Sequence, residues 1–252
     1  MPIKFTFEIL AKETKTCSVH NHNYTSYMFK RADGSSSWSG CDRCKKESEQ
    51  QEFQQEQLQF MAEYKKRLIT RLFNQAAIPP RFMADSFDNY IADTLNKQAV
   101  KDKLMKFANN ISNNLKLGRN VILMGNPGNG KTHLSVAIAK TAINKGYSAL
   151  FTTVGGMIDK INEAGWNKAK LINNYALPDL LILDEVTNYL NNEEQKNLFK
   201  VLNSRYEQVK STIIQTNLAI EVLNEVLGKR IIDRLRENNG ILLRFDWESY
   251  RK

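Results

Sequence analysis

Short apolar runs recur through the second half of the chain and predict the strands of a sheet. They occupy residues 121–124, 148–154, 180–183, 211–217 and 241–245. The run at 180–183 is apolar at every position instead of alternating, which indicates a strand covered on both faces, as in a parallel sheet. We therefore expect an α/β domain in this part of the chain.

Helical spacing, with apolar residues at three- and four-residue steps, fills the intervals between these runs. It occurs at residues 94–117, directly after residue 132, at residues 192–209 and at residues 228–236. Asn191 or Asn192 would cap the third of these helices, because a short polar side chain can accept hydrogen bonds from free backbone N–H groups. Predicted helices and strands thus alternate along the chain.

A long polar helix is predicted at residues 45–74, which are rich in Gln, Glu and Lys and contain no Gly or Pro. An apolar stripe runs along this helix at helical steps and consists of Met61, Tyr64, Leu68 and Leu72. Such a stripe either docks on a partner protein or packs on the chain's own globular domain. Residues 79–80 are both proline and cannot continue the helix.

The overall charge of the chain is basic. Its 36 Lys and Arg residues exceed its 27 Asp and Glu residues, so the formal net charge is +9. This excess suits a polyanionic partner such as nucleic acid, although lysines on solvated faces would give the same charge. Residues 1–10 do not resemble a signal peptide, and no apolar run approaches membrane-spanning length. We expect a cytoplasmic protein without a membrane partner.

A glycine-rich segment follows the first apolar run and reads Gly125-Asn126-Pro127-Gly128-Asn129-Gly130-Lys131-Thr132. It fits the pattern G-x-x-x-x-G-K-[ST] between a strand and a helix, which is the setting that a phosphate-binding P-loop requires. Freed backbone N–H groups can surround the phosphates, Lys131 can reach the β- and γ-oxygens, and Thr132 can bind Mg²⁺. We assign this segment and the adjacent His133 to a bound nucleotide.

Polar side chains also follow two later strands. Asp184 and Glu185 come directly after the run at 180–183, and Asn217 ends the run at 211–217. Open α/β sheets bind ligands at the carboxyl ends of their strands. We expect Asp184 to hold the Mg²⁺ shell and Glu185 to act as general base on the attacking water. Asn217 would align that water or contact the γ-phosphate.

The three cysteines of the chain lie near its start and, together with one histidine, form two short pairs of candidate metal ligands. Cys17 and His20 form a C-x2-H pair, and Cys41 and Cys44 form a C-x2-C pair. Together they supply the four ligands of a closed tetrahedral Zn²⁺ site, which would be structural in so small a module. His22 competes with His20 for the fourth position, and the tighter spacing favours His20. An Asp-Gly pair at residues 33–34 predicts a hairpin turn, so we expect a zinc-ribbon-like hairpin.

The order and spacing of these motifs over about residues 75–252 resemble the AAA+ ATPases of the DnaC-type replicative helicase loaders, whose relatives are the IstB-type transposase helpers. The segments that carry the resemblance are the P-loop at 125–132, the carboxylate strand at 180–185, the sensor-1 strand at 212–217, the basic box VII at 227–236 and the sensor-2 segment at 245–251. Residues 78–82, IPPRF, and residues 86–90, SFDNY, also match the entry to such a domain.

The resemblance implies a fold and a shared catalytic site. It implies a central parallel sheet of order 5-1-4-3-2 with little or no lid. It also implies ATP hydrolysis between self-associated subunits, with Arg234 as an arginine finger on a neighbour's ATP. Arg251 would be the sensor-2 arginine within its own subunit.

The implied task is ATP-controlled loading of the hexameric replicative helicase onto single-stranded DNA. Residues 1–45 would be a zinc-ribbon-like module that binds the partner, residues 46–77 a linker helix, and residues 78–252 the ATPase domain. In such loaders the segment at residues 155–178 contacts DNA. Its lysines would either neutralise backbone phosphates or remain solvated, and they are Lys160, Lys168 and Lys170.

Other functions share part of this sequence. A transposase helper ATPase would have the same nucleotide motifs and a different partner. A P-loop nucleotide kinase fits the glycine-rich segment, but Asp184, Glu185 and Asn217 form a water-activating set, and no lid for a phosphate acceptor is evident. A binding module without turnover would use the same ATP site and would not need Glu185 as a base.

Overall fold

The computed structural model describes residues 8–31 and 33–250. The chain divides into two compact units, Met1–Lys65 and Lys66–Lys252. In the described residues, no helix has the length and apolar character needed to cross a membrane.

The first unit contains a small antiparallel sheet. Its strands are β1 (Ile9–Thr16), β2 (Asn23–Lys30) and β3 (Ser36–Trp38), in that spatial order. The Asp33 carboxylate accepts hydrogen bonds from the backbone N–H and the hydroxyl of Ser35, at 2.9 and 2.6 Å, and Gly34 has a φ of +84°. The Asp-Gly pair therefore forms the expected turn between β2 and β3. Strand β1 was not predicted, since its polar side chains alternate with few apolar ones.

Helix α1 (Asp42–Gln75) matches the predicted polar helix, and its apolar stripe divides into two parts. Leu72 is buried and Leu68 packs against the core of the second unit. Met61 and Tyr64 are 61% and 58% exposed. Self-packing is thus correct for the C-terminal half of the stripe, while the other half remains solvent-facing.

The second unit is built on a five-stranded parallel sheet. Its strands are β4 (Val121–Gly125), β5 (Ala149–Thr153), β6 (Leu180–Val186), β7 (Ser211–Thr216) and β8 (Ile241–Phe245). Their spatial order is β5-β6-β7-β4-β8, and every neighbouring pair is parallel. Counted from β4 as the first strand, this order is 5-1-4-3-2, which is the order that the resemblance implies.

Both faces of this sheet are covered by helices. Val121 and Leu123 of β4 belong to one hydrophobic cluster, and Ile122 and Met124 belong to the other. Because successive strand residues point to opposite faces, the two clusters lie on opposite sides of the sheet. The helices are α2 (Leu95–Asn109), α3 (Ile111–Lys116), α4 (Lys131–Asn144), α5 (Val154–Glu163), α6 (Lys168–Ala176), α7 (Asn192–Glu207), α8 (Ile220–Leu227) and α9 (Lys229–Arg236).

One predicted helix is in fact two. The interval at 94–117 forms α2 and α3, and the interruption lies at Asn110, where φ is −97° and ψ is 25°. The Asn114 side chain donates a 2.8 Å hydrogen bond to the carbonyl of Phe107 across this break. Local bonding of this kind offers the backbone an alternative to continuous helix. At the start of α7, Asn191 is the N-cap and forms a capping box with Glu194.

Candidate functional site

A cavity of about 620 Å³ opens at the carboxyl ends of the central strands. It is lined by P-loop residues from Pro127 onward and the adjacent His133, by Asp184 and Glu185 near the end of β6, and by Gln215 and Asn217 at the end of β7. The loop before α2 adds further lining residues, among them Tyr90 and Ile91. The fold thus brings the sequence-predicted P-loop, carboxylates and Asn217 to one cavity.

The P-loop backbone requires glycine where it approaches β8 most closely. Gly125 has a φ of +143°, and a Cβ there would lie 2.2 Å from the carbonyl oxygen of Phe245. The Asn129 amide donates a 2.6 Å hydrogen bond to that same carbonyl. Gly130 has a φ of +91°, and its Cβ would lie 2.6 Å from the ring of Tyr90. The glycines therefore permit both the turn and its contact with neighbouring elements.

Gly125→Ala is expected to weaken nucleotide binding about tenfold or more, because a Cβ would displace the β8 backbone and force a strained φ. A titration with a fluorescent ATP analogue measures the change. Gly155→Ala is the matched control, since a Cβ at Gly155 meets nothing within 4 Å and its position in α5 favours alanine. Equal nucleotide affinity of the two variants would show that the Gly125 contact does not shape the loop.

Lys131 lies at the centre of the P-loop. Its ammonium donates hydrogen bonds to the carbonyl oxygens of Gly125 and Asn126, at 2.7 and 2.8 Å, and to Asn129 Oδ1 at 3.0 Å. The side chain is largely buried, so the loop holds a positive charge where phosphate oxygens would approach.

A second set of polar atoms surrounds the Thr132 hydroxyl. Thr132 Oγ1 lies 3.1 Å from Asp184 Oδ2 and 3.2 Å from Gln215 Oε1. Burial raises the pKa of Asp184 above its usual value, while hydrogen bonds from Thr132 and the Glu185 backbone oppose this shift. Oxygen ligands in a partly buried, anionic setting suit Mg²⁺, so these residues fit the metal that the sequence predicts.

Gln215 was not predicted as a site residue. It is fully buried in β7, and its Nε2 has no hydrogen-bond partner among the described residues. An amide between the buried residues Ile214 and Thr216 on a central strand is unusual, because a buried polar group without a partner is costly. That signal was present in the sequence and could have marked Gln215.

Glu185 leaves the regular strand geometry. Its φ is +58°, and its backbone N–H donates a 2.9 Å hydrogen bond to Asp184 Oδ1. The pairing of β6 with β7 shifts register between Leu183 and Val186. Irregularities of this kind occur next to active sites because they redirect a side chain. Here the irregular residue is the predicted general base, and it lines the cavity.

The ring of His133 contacts the loop before α2. Its Nε2 lies 2.7 Å from the carbonyl oxygen of Ser86, and its Nδ1 lies 3.5 Å from Asp85 Oδ1. His133 also lines the cavity, so its assignment to the nucleotide stays a prediction.

The segment after β8 holds the P-loop from the other side. The Trp247 indole N–H donates to the carbonyl of Asn129 at 2.9 Å, and the Tyr250 backbone N–H donates to the carbonyl of Gly128 at 2.8 Å. The Tyr250 hydroxyl donates a 2.6 Å hydrogen bond to the carbonyl of Ile91. These contacts were not predicted. Arg251, the predicted sensor-2 arginine, lies outside the described residues.

Arg234 is not among the residues that line the cavity in the described part of the chain. It lies on α9, where its guanidinium donates a hydrogen bond to Asn203 Oδ1 and its Cζ lies 4.3 Å from the centre of the Tyr206 ring. Its own subunit therefore uses this side chain in a contact between α9 and α7.

The lysines predicted to meet DNA lie on α5 and α6. Lys160 and Lys170 are exposed. Lys168 forms an ion pair with Glu193, 3.1 Å from Nζ to Oε1, so its charge is already matched in part. Trp166, in the short turn before α6, is fully exposed.

A cluster of four candidate metal ligands lies in the first unit. The ligand atoms of Cys17, His20, Cys41 and Cys44 all lie within 4.8 Å of one another. Cys17 Sγ is 3.4 Å from Cys44 Sγ, and His20 Nδ1 is 3.3 to 4.0 Å from the three sulfurs. Ligands of tetrahedral Zn²⁺ are separated by about 3.5 to 3.8 Å. The four side chains therefore fit the metal.

The surroundings of the cluster distinguish His20 from His22. His20 Nε2 lies 2.8 Å from Glu47 Oε1, and its Nδ1 faces the sulfurs. A carboxylate on the distal nitrogen is the usual support of a metal-binding histidine. The hydrogen bond from the His20 backbone N–H lowers the pKa of the Cys17 thiol to about 6. The hydrogen bond between Cys44 and Cys17 raises the pKa of the Cys44 thiol to about 11. Of the three cysteine sulfurs, His22 contacts that of Cys41 alone, with 3.8 Å between Nε2 and Sγ.

Comparison with known proteins identifies relatives of most of the chain. The sequence pattern of the family described as IstB-like ATP binding protein matches residues 46–252. The replicative helicase loader DnaC of Buchnera aphidicola subsp. Baizongia pistaciae is 32% identical over 190 residues, which cover 73% of this chain and 76% of that protein. DnaC of Escherichia coli K12 is 29% identical over 188 residues, with the same two coverages.

A solved structure shares the fold. The crystal structure of the DnaC helicase loader matches with a TM-score of 0.60 at 24% identity, over 66% of this chain and 99% of that one. This likeness confirms the expected α/β class with a central parallel sheet.

Proposed function

We propose that this chain, which belongs to the family of IstB-like ATP-binding proteins, is an AAA+ ATPase that loads a replicative ring helicase onto single-stranded DNA. The family membership agrees with the resemblance seen in the sequence. One observation carries the proposal: the P-loop, Asp184 and Glu185 meet in one cavity, in a chain similar to helicase loaders over most of its length.

In this proposal the cavity binds ATP and hydrolyses it. The P-loop backbone and Lys131 bind the β- and γ-phosphates, and Lys131 exchanges its carbonyl partners for phosphate oxygens. Thr132 and Asp184 would hold Mg²⁺, which neutralises phosphate charge when bound, and Gln215 would support them.

Glu185 would act on the water that attacks the γ-phosphorus. As the new P–O bond forms, the proton of the water passes to the Glu185 carboxylate, and the bond to the β-phosphate oxygen breaks to release ADP. Asn217 would align this water. The positive φ of Glu185 supports the role, since it turns the residue out of the strand.

We further propose that the ATP site is shared between subunits. A guanidinium that stabilises the charge on the γ-phosphate must reach that phosphate. Arg234 packs on α7 of its own chain, so it would serve the cavity of a neighbouring copy. Arg251 would serve its own cavity, because the contacts of Trp247 and Tyr250 bring the preceding segment against the P-loop.

The remaining assignments belong to the same proposal. Residues 1–45 would be a zinc-bearing module that binds the helicase, residues 46–77 a linker helix, and residues 78–252 the ATPase domain. The cluster at Cys17, His20, Cys41 and Cys44 would bind a structural Zn²⁺. Lys160 and Lys170 would contact DNA phosphates, and the protein would work in the cytoplasm, where helicase and DNA are present.

A reconstituted loading assay tests this function. The purified chain is mixed with the replicative helicase encoded by the same genome and with circular single-stranded DNA. The expected result is that helicase becomes bound to DNA only when the chain and ATP are both present. The same experiment is repeated with a transposase in place of the helicase. Binding of the chain to the transposase without loading of the helicase would favour a transposase helper. Phosphate transfer to AMP, with little free phosphate released, would instead indicate a nucleotide kinase.

A further inference from the structure

The contacts of Arg234 carry an inference that rests on its proposed role as an arginine finger. Asn203 and Tyr206 lie three residues apart on α7, which places them on one face of the helix. Asn203 Oδ1 accepts a hydrogen bond from Arg234 Nη1. The Tyr206 ring lies beneath the guanidinium, 4.3 Å from Cζ to the ring centre, at the distance of a cation–π contact.

Tyr206 and Asn203 are themselves held in place. The Tyr206 hydroxyl donates to the carboxylate of Glu237, at 3.0 and 3.2 Å from its two oxygens. The Asn203 side-chain N–H donates to Glu207 Oε1 at 2.7 Å. These two hydrogen bonds are consistent with a single orientation of the Asn203 side-chain amide, in which the oxygen faces Arg234 and the nitrogen faces Glu207. The guanidinium thus lies against two side chains that each have a second anchor.

The partners of Arg234 are neutral. In the described part of the chain, its guanidinium contacts an amide oxygen and an aromatic ring, and it forms no ion pair with a carboxylate. Lys210 and Lys168, in contrast, pair with Asp179 and Glu193 at 2.6 and 3.1 Å. An ion pair would compete with a phosphate for the arginine, whereas neutral partners restrict its rotamers without pairing its charge with a carboxylate. The side chain is also only partly buried.

We infer that Asn203 and Tyr206 are positioning residues that hold the Arg234 guanidinium ready for the ATP of a neighbouring copy of the chain. Their effect on hydrolysis passes through Arg234 and appears in the neighbour's site. Neither is among the described residues that line their own subunit's cavity, so a subunit that lacks either one keeps all the lining residues of its nucleotide site.

Subunit mixing tests the inference, because it distinguishes the subunit that binds ATP from the subunit that supplies the arginine. Full-length Tyr206→Leu, Asn203→Ala and Arg234→Ala proteins are assayed alone and after mixing with Lys131→Ala protein, which retains Arg234 but lacks a working P-loop. Tyr206→Leu and Asn203→Ala are each expected to lower kcat about tenfold, with little change in the KM for ATP, because a misplaced group costs rate more than ground-state binding. Lys131→Ala subunits should restore hydrolysis to all three.

Two control variants distinguish the loss of Arg234 positioning from other effects of substitutions on α7. Tyr206→Phe keeps the ring and should retain nearly wild-type hydrolysis. Lys196→Ala removes an exposed side chain two turns from Asn203 on the same helix, and it should behave like the wild type. Circular dichroism verifies that each variant is folded, and if Tyr206→Leu is not, Asn203→Ala carries the comparison.

The outcomes separate this inference from the proposed function. If Arg234→Ala is not rescued by Lys131→Ala subunits, the shared site is wrong and the inference is overturned with it. If Arg234→Ala is rescued but Tyr206→Leu and Asn203→Ala hydrolyse ATP like the wild type, the inference alone is wrong. Impaired hydrolysis that mixing does not rescue would show a structural role for these residues and would also overturn it.

Discussion

Glu185→Gln should lower the kcat of ATP hydrolysis by about 10²–10⁴-fold, the range for losing a general base, while the protein still binds ATP. The amide keeps the size and position of the carboxylate but cannot accept the proton of the attacking water. Binding depends instead on the P-loop and on the polar set around Thr132, which includes Asp184 at 3.1 Å. The substitution therefore separates the chemical step from nucleotide affinity.

Two measurements and two comparison variants make this prediction specific. Phosphate release gives kcat, and titration with a fluorescent ATP analogue gives affinity. Glu225→Gln, an exposed carboxylate on α8 outside the cavity lining, controls for the loss of one negative charge. Asp184→Asn should weaken magnesium-dependent binding as well as rate. Wild-type hydrolysis by Glu185→Gln would contradict the role of base. If the wild type itself hydrolyses no ATP and Glu185→Gln leaves ATP-dependent partner binding unchanged, the chain is a binding module that works without turnover.

Cys41→Ser is expected to remove the bound zinc of the first unit and to unfold its small sheet. Structural zinc contributes about 10–16 kcal/mol to folding in small peptide modules at neutral pH, which exceeds what so small a core supplies. The thiols of Cys17 and Cys41 are buried. Metal analysis of the purified wild type should find about one zinc per chain, and the variant should have none.

Hydrogen exchange localises the effect, and two histidine variants identify the fourth ligand. Loss of zinc should increase exchange in β1 to β3, with little effect on the strands of the second unit. His20→Ala should lose the metal, because its Nδ1 faces the sulfurs, whereas His22→Ala should retain it. A wild-type protein that is free of metal yet protected in these strands would refute the zinc site. Loss of metal in His22→Ala alone would assign the fourth position to His22.

The nucleotide site was predictable because its parts lie in short continuous segments. The P-loop is eight consecutive residues, and its strand and helix flank it directly. Asp184 and Asn217 follow apolar strands, and parallel strands bring their carboxyl ends to one edge. These are local patterns combined with one general rule of sheet geometry.

Other parts of the site left no such local trace. The indole of Trp247 reaches the carbonyl of Asn129 across 118 positions of sequence, and Asn203 meets Arg234 across 31. Side-chain periodicity reports which face of an element is buried, but it does not identify the partner on another element.

The sequence by itself determined the fold class, the residue types at the candidate nucleotide site and the residue types of the four-ligand Cys and His cluster, because each depends on short patterns of residues that lie close together along the chain. Tertiary structure decided which distant groups complete them. It joined Gln215 to Thr132, placed His20 rather than His22 in the four-ligand cluster, and set Arg234 against α7 away from its own cavity. These choices depend on packing between elements far apart in sequence, and so they exist only once the chain has folded.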